Sequence, residues 1–77
     1  MSKFLKLLER IKNNPKTVKF DELDKILLHE GYERSQSHGG SSHYQYRKPG
    51  KNMITIPYHR PYIKEFYVGM VLRELEI

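Results

Sequence analysis

The chain has no cysteine, which excludes a disulfide framework and a thiolate metal site. No apolar run exceeds three residues, so nothing in it reads as a membrane span. The basic, amphipathic start (Lys3 to Leu8) lacks the apolar region of a secretory signal, and Glu9 and Pro15 soon interrupt it. Its apolar positions suit core packing better than a membrane surface. The most telling absence is of one sign of charge: from Arg34 to Lys64 there is no Asp or Glu.

That window holds six cations, Arg34, Arg47, Lys48, Lys51, Arg60 and Lys64. It also holds three of the four histidines (His38, His43, His59) and four of the six tyrosines, so titratable and stacking groups gather where the positive charge is. Residues 1–33 carry seven basic and six acidic side chains, and residues 65–77 one and three. The net charge of +5 is therefore concentrated in the middle of the chain, the footprint of a polyanion site, with nucleic acid as the default partner.

With 77 residues the chain reads as a single domain, 1–77. A chain of this size buries only roughly 60–65% of its unfolded surface, so its margin of stability is small and a bound partner protein can matter for it.

Phe4, Leu7, Leu8 and Ile11 repeat at helical spacing and predict a helix from about Lys3 to Lys12, stopped by Asn13-Asn14-Pro15. A second helix is expected from about Phe20 to Glu30, with Phe20, Leu23, Ile26 and Leu27 on its buried face. Asp21, Glu22 and Asp24 lie in its first turn, and Gly31 is placed to end it in the left-handed conformation. His29, in its last turn, reads as a surface group.

Three strands follow: Tyr32 to Gln36, Ser42 to Lys48, and Met53 to Ile56. Ser37 to Ser41 is the Gly/Ser loop between the first two, and Pro49-Gly50-Lys51-Asn52 the turn between the second and third. Pro57 is expected to end the ladder, having no N–H to donate. Tyr58-His59-Arg60-Pro61 reads as a rigid basic connector. A last helix is expected from about Lys64 to Glu76, on Val68, Val71, Leu72 and Leu75. Gly69 inside it costs about 1 kcal/mol relative to alanine, and close packing is the only reason the sequence suggests for it.

The fold class is therefore α+β, in the order α-α-β-β-β-α. Short loops make the strands an antiparallel meander, and helices cover one face of it. This is the layout of double-stranded-RNA-binding domains, with residues 1–14 as an extra N-terminal helix and 18–77 as the core.

The stretch from Gly39 to Lys48 carries the chemistry. Alternation puts Tyr44 and Tyr46 on one face of a strand and His43, Gln45 and Arg47 on the other. His43 stands at the start of the strand, just out of the glycine- and serine-rich turn, and histidine is the side chain suited to proton transfer near neutrality. The bland alternatives are a solvent-facing strand histidine, core packing for Tyr44 and Tyr46, and a solvated basic face for Arg34, Lys51, Arg60 and Lys64. The histidine spacing matches no common metal motif and the surrounding charge opposes a cation, so neither a metal nor another cofactor is expected.

These residues resemble the HicA-type mRNA interferase toxins, the RNase half of a bacterial toxin–antitoxin pair. The likeness spans nearly the whole chain. Asn14-Pro15-Lys16 before Val18-Lys19-Phe20 is similar to the linker of members with an extra N-terminal helix. Leu23 to Tyr32 looks like the family's first helix running into its first strand. Ser42-His43 followed by Tyr46-Arg47 is similar to the Gly-Ser-His motif, with Ser41 standing where the family has glycine. Ile54-Thr55-Ile56-Pro57, His59 and Lys64 look like the third strand and the lead into the last helix. The resemblance implies a metal-independent endoribonuclease with His43 catalytic, RNA as substrate and a HicB-type antitoxin as partner, and the lack of cysteine is compatible with a cytoplasmic location. Ser42, Arg47 and Lys48 are then expected at the RNA with Arg34, Lys51, His59, Arg60 and Lys64. His59, His38 and Tyr44 are candidates for a second proton-transfer group. A non-catalytic RNA-binding module and an interaction protein with a basic face are the competing expectations.

Overall fold

The computed structural model describes residues 3–36 and 42–75. Helix α1 spans Lys3–Asn13, a 3-10 turn Pro15–Thr17, and helix α2 Phe20–His29. Strands β1 (Glu33–Gln36), β2 (His43–Arg47) and β3 (Ile54–Pro57) follow, and helix α3 (Glu65–Glu74) closes the order. The expected α+β class and α-α-β-β-β-α order are both present. The Gly/Ser loop at 37–41, with His38 and Ser41, and the expected end of the last helix at Glu76 lie outside the described residues.

The sheet is an antiparallel meander in the order β1-β2-β3. Tyr46 stands opposite Arg34 and Ile54, and Tyr44 opposite Gln36 and Ile56. Cross-strand partners share a face. Tyr46, Ile54 and Ile56 therefore turn to the helices, where they join Ile11, Val18, Leu23, Ile26, Leu27, Ile63, Val68 and Val71 in one core. The other face carries Glu33, Ser35, His43, Gln45, Arg47, Thr55 and Pro57, all exposed or half-buried.

Local chemistry sets the boundaries. Gly31 has φ of +94°, the Tyr32 N–H reaches back to the Leu27 carbonyl at 3.1 Å, and the Gly31 N–H to Leu28 at 3.1 Å. This is a Schellman ending, as the glycine suggested. At the β2–β3 turn the Lys51 N–H bonds the Lys48 carbonyl at 3.0 Å and Gly50 has φ of +80°. Pro49 and Gly50 thus occupy the two central positions of a type II turn.

Two expectations need correcting. Hydrogen bonding does not stop at Pro57: the Tyr58 N–H bonds the Ser42 carbonyl at 2.7 Å. That makes Ser42–Tyr58 a hydrogen-bonded pair and His43–Pro57 a non-bonded one on an edge strand, where a proline removes no ladder bond. Nor is Gly69 explained by close packing, since a Cβ there would meet nothing within 4 Å.

Helix α1 lies against α2. Phe4 stacks on the His29 ring at 3.7 Å, and Arg10 pairs with Glu22. Among the described residues no helix is long and apolar enough to cross a membrane.

Candidate functional site

His43 opens β2 and is exposed. Its position is fixed from behind: Tyr44 and Tyr46, its neighbours in the alternation, are held in the aromatic and aliphatic core. The Tyr44 ring lies 4.9 Å from Phe20. Tyr46 is fully buried and its hydroxyl donates to Asp24 Oδ1 at 2.7 Å. Burial, then the bond to Asp24, pushes the Tyr46 phenol far above its ordinary pKa. Ser42, exposed just before the strand, is tied through its carbonyl to Tyr58.

Arg47 is on His43's face but at the far end of β2, about 13 Å away along a strand rising ~3.3 Å per residue. Its Nη2 donates to Gln45 Oε1 at 3.3 Å, which lays the guanidinium back along the strand towards His43, and its Nε faces Met53 Sδ at 3.5 Å. Glu33, Arg47, Lys48, Pro49, Lys51 and Met53 line a shallow depression at that end.

The other expected cations divide into two groups. Arg34, opposite Tyr46, lies on the helix side of the sheet and pairs with Asp24 Oδ2 at 2.9 Å. Lys48 Nζ donates to the Glu30 carbonyl at 2.7 Å and lies 5.6 Å from the Tyr32 ring, tying β2 to the end of α2. Neither ammonium nor guanidinium is brought to His43. Lys64 stands exposed at the start of α3.

His59 and Arg60 belong to a connector clamped at both ends, by Tyr58 to Ser42 at 2.7 Å and by the Ile63 N–H to the Val18 carbonyl at 2.8 Å. His59 Nδ1 lies 2.7 Å from the Tyr62 carbonyl. A carbonyl only accepts, so Nδ1 carries the hydrogen and Nε2 is the nitrogen left for other chemistry. Arg60 Nε donates to the Tyr58 hydroxyl at 2.7 Å, and its guanidinium lies 5.4 Å from that ring. The bond to Tyr58 also holds the Arg60 pKa above its ordinary value.

The connector forms one wall of a cleft of roughly 330 Å³, with Lys19, Phe20 and Asp21 as the other. Lys19 and Asp21 are functional candidates that the sequence reading missed. They sit about forty residues from the connector, and the Ile63–Val18 bond and the Phe20–Tyr58 ring contact bring the two segments together.

A family model for the HicA toxin of bacterial toxin–antitoxin systems matches residues 20–77. The match runs from the first residue of α2 to the end of the chain, through the whole sheet and α3. It leaves out α1 and the 3-10 turn. Comparison with curated proteins found no match, and neither did comparison with solved structures. The family match, together with the α-β-β-β-α core it covers, shows that the chain belongs to the HicA family, as the toxin of a toxin–antitoxin pair.

Proposed function

We propose that this toxin is a metal-independent endoribonuclease that cleaves mRNA in the cytoplasm, with His43 as its catalytic acid or base. A HicB-type antitoxin neutralises it by covering the polar sheet face. HicA toxins are generally RNases. The observation that carries the assignment to His43 is its place on an exposed, polar face, at the end of a strand whose alternate residues are locked in the core.

In the proposed reaction the RNA's own 2′-oxygen attacks the adjacent phosphorus. A base takes the 2′-hydroxyl proton, the P–O5′ bond breaks, and an acid protonates the leaving 5′-oxygen. The products are a 2′,3′-cyclic phosphate and a 5′-hydroxyl. No water or redox partner is consumed in this step. His43 fills one proton-transfer role. His59 fills the other through Nε2, its ring oriented by the Tyr62 carbonyl. The register supports the pairing: Pro57 is directly opposite His43, and His59 is two residues past it.

Cations stabilise the charge that builds on the phosphorane-like transition state. Ser42 and Lys64 serve the phosphates near His43 and His59, and Arg60 meets the RNA beside them. Arg47 and Lys51 serve phosphates further along the face, because the length of β2 separates them from His43. Arg34 and Lys48 act through the fold, with their charged heads bonded to Asp24 and the Glu30 carbonyl.

The test is incubation of the protein with a long single-stranded RNA in EDTA, beside His43→Ala. Loss of a positioned acid–base group is expected to slow cleavage about 10²–10⁴-fold at unchanged circular dichroism. An RNA with a 2′-deoxy nucleotide at the cleavage position should resist the wild type. Wild-type rates from a folded His43→Ala protein would remove His43 from the mechanism. RNA left intact but still bound by both proteins would favour the RNA-binding module.

A further inference from the structure

The cleft beside the connector borders the reaction above through His59, but His43 does not line it, and its other wall, Lys19 and Asp21, has no part in that reaction. Its most unusual feature is Arg60. This side chain is exposed, yet it is fixed in place by the 2.7 Å bond to the Tyr58 hydroxyl and by lying across the Tyr58 ring. An exposed arginine ordinarily samples many rotamers, and holding one costs entropy. Here that ordering is already made, in a side chain that lines the cleft.

The ring beneath is itself supported. Tyr58 packs 4.9 Å from Phe20, and Phe20 4.9 Å from Tyr44. Among the described residues no carboxylate lies within ion-pair distance of Arg60 or Lys19, although Asp21 shares the cleft. The site thus offers a backed planar cation, a second cation across the opening, and one acceptor-only carboxylate. Its volume of roughly 330 Å³ is at the small end for a ligand pocket.

We infer that this cleft is a nucleotide subsite for single-stranded RNA: one unstacked base lies on the Arg60 guanidinium above Tyr58, and the adjoining phosphate meets Lys19. The inference rests on the RNase reading and extends it. The class of ligand follows from the chemistry. A flat guanidinium supported by an aromatic ring matches a nucleobase plane, and proteins read single-stranded RNA by such stacking. Asp21 accepts hydrogen bonds and repels phosphate, so it suits the edge of a base carrying an amino group and keeps the phosphate on the Lys19 side.

Duplex RNA does not fit, because its bases are paired and stacked within the helix. The subsite also lies next to the chemistry. Ser42 and Tyr58 are the pair adjacent to His43 and Pro57, so a base seated here belongs to a nucleotide close to the cleaved bond.

The test uses the full chain with His43→Ala to prevent turnover, and fluorescence anisotropy of a labelled short single-stranded RNA. Arg60→Ala and Lys19→Ala are each expected to weaken binding about 5- to 10-fold, a fraction of the stacking and phosphate terms. Lys19→Ala should also lower the slope of log K against log salt by about 0.7, one single-strand phosphate contact. Lys6→Ala, which removes the same charge from an exposed position on α1, should leave affinity unchanged. An abasic nucleotide scanned along the RNA should weaken binding about tenfold at one position, and that dip should vanish in Arg60→Ala.

Equal losses from all three charge removals would mean diffuse attraction and would overturn the subsite, as would equal affinity for the same RNA as a duplex. The RNase reading fails separately. If the wild type leaves RNA uncut while the abasic dip and its loss in Arg60→Ala remain, the subsite stands and the nuclease does not.

Discussion

Tyr46→Phe is the substitution whose consequences the structure defines most fully. It removes one oxygen from a side chain that is 0% exposed and leaves the ring in place, so it creates almost no cavity. What is lost is the 2.7 Å bond to Asp24 Oδ1, which leaves Asp24 with Arg34 as its remaining partner at 2.9 Å. The Asp24 side chain is only 13% exposed, so water replaces the lost donor poorly. A hydrogen bond to a charged group is worth about 1.5–3 kcal/mol, and an under-satisfied buried acceptor costs a similar amount. We expect a loss of about 2 kcal/mol, or roughly 8–16 °C in Tm for a domain this small.

The same bond has a signature in pH. The folded-state pKa of Tyr46 is raised above the ordinary tyrosine value of 10.0, by burial first and by the bond to Asp24 second. The folded state therefore favours the neutral phenol. Its contribution is complete below about pH 10 and is lost as pH rises from there towards the folded pKa. Across that range the wild type should lose about 1.4 kcal/mol per pH unit more than Tyr46→Phe. Urea unfolding followed by circular dichroism at pH 7 and at several values above 10 measures both effects. A variant within 0.5 kcal/mol of the wild type at pH 7, or parallel losses at alkaline pH, would refute the Asp24 anchor.

Other substitutions probe the remaining assignments. Gly69→Ala should raise stability by up to about 1 kcal/mol, since the helix gains propensity and the new methyl meets nothing; an unchanged or lower Tm would show a constraint on α3 that the packing does not reveal. Gly31→Ala should cost about 1–2 kcal/mol in chemical denaturation, because φ of +94° strains any residue with a Cβ. Lys48→Met should lower Tm through the lost bond to the Glu30 carbonyl, about 1–2 kcal/mol, with little change in RNA affinity at temperatures where it is folded. Arg47→Ala should do the reverse, weakening RNA binding in a gel shift at unchanged Tm. If Lys48→Met proves the weaker RNA binder, the division between supporting and contacting cations is wrong.

Element order and the buried faces were legible because each rests on a local signal. The stripes of α1 and α2 recur at helical spacing, Gly31 and Gly50 mark positions that need positive φ, and Tyr44 and Tyr46 alternate with polar neighbours. The basic window was legible as composition but not as a surface. It counted Arg34 with Arg47, although register sends one to the helix side and the other to the polar face. Register depends on which strand positions pair, and no single strand states that. Lys48 lies one residue past Arg47, and its bond to the Glu30 carbonyl depends on how α2 ends beside the sheet. The cleft was invisible for a related reason: Lys19 and Arg60 line one cleft because the Val18–Ile63 backbone bond and the Phe20–Tyr58 ring contact join segments far apart in sequence. Gly69 has no physical account in the fold.

The alternation along β2 has a consequence for how such a toxin can diversify. Every second side chain of this strand is committed to keeping the domain folded, and the side chains between them answer to whatever lies on the polar face. On the proposed reading of the polar face, a substitution at Gln45 or Thr55 changes which RNA is cut, or which inhibitor is tolerated, without first spending a small reserve of stability. Toxin and inhibitor lineages can then drift in step through single, individually viable changes. Pairs that no longer recognise one another's members can arise on one conserved scaffold.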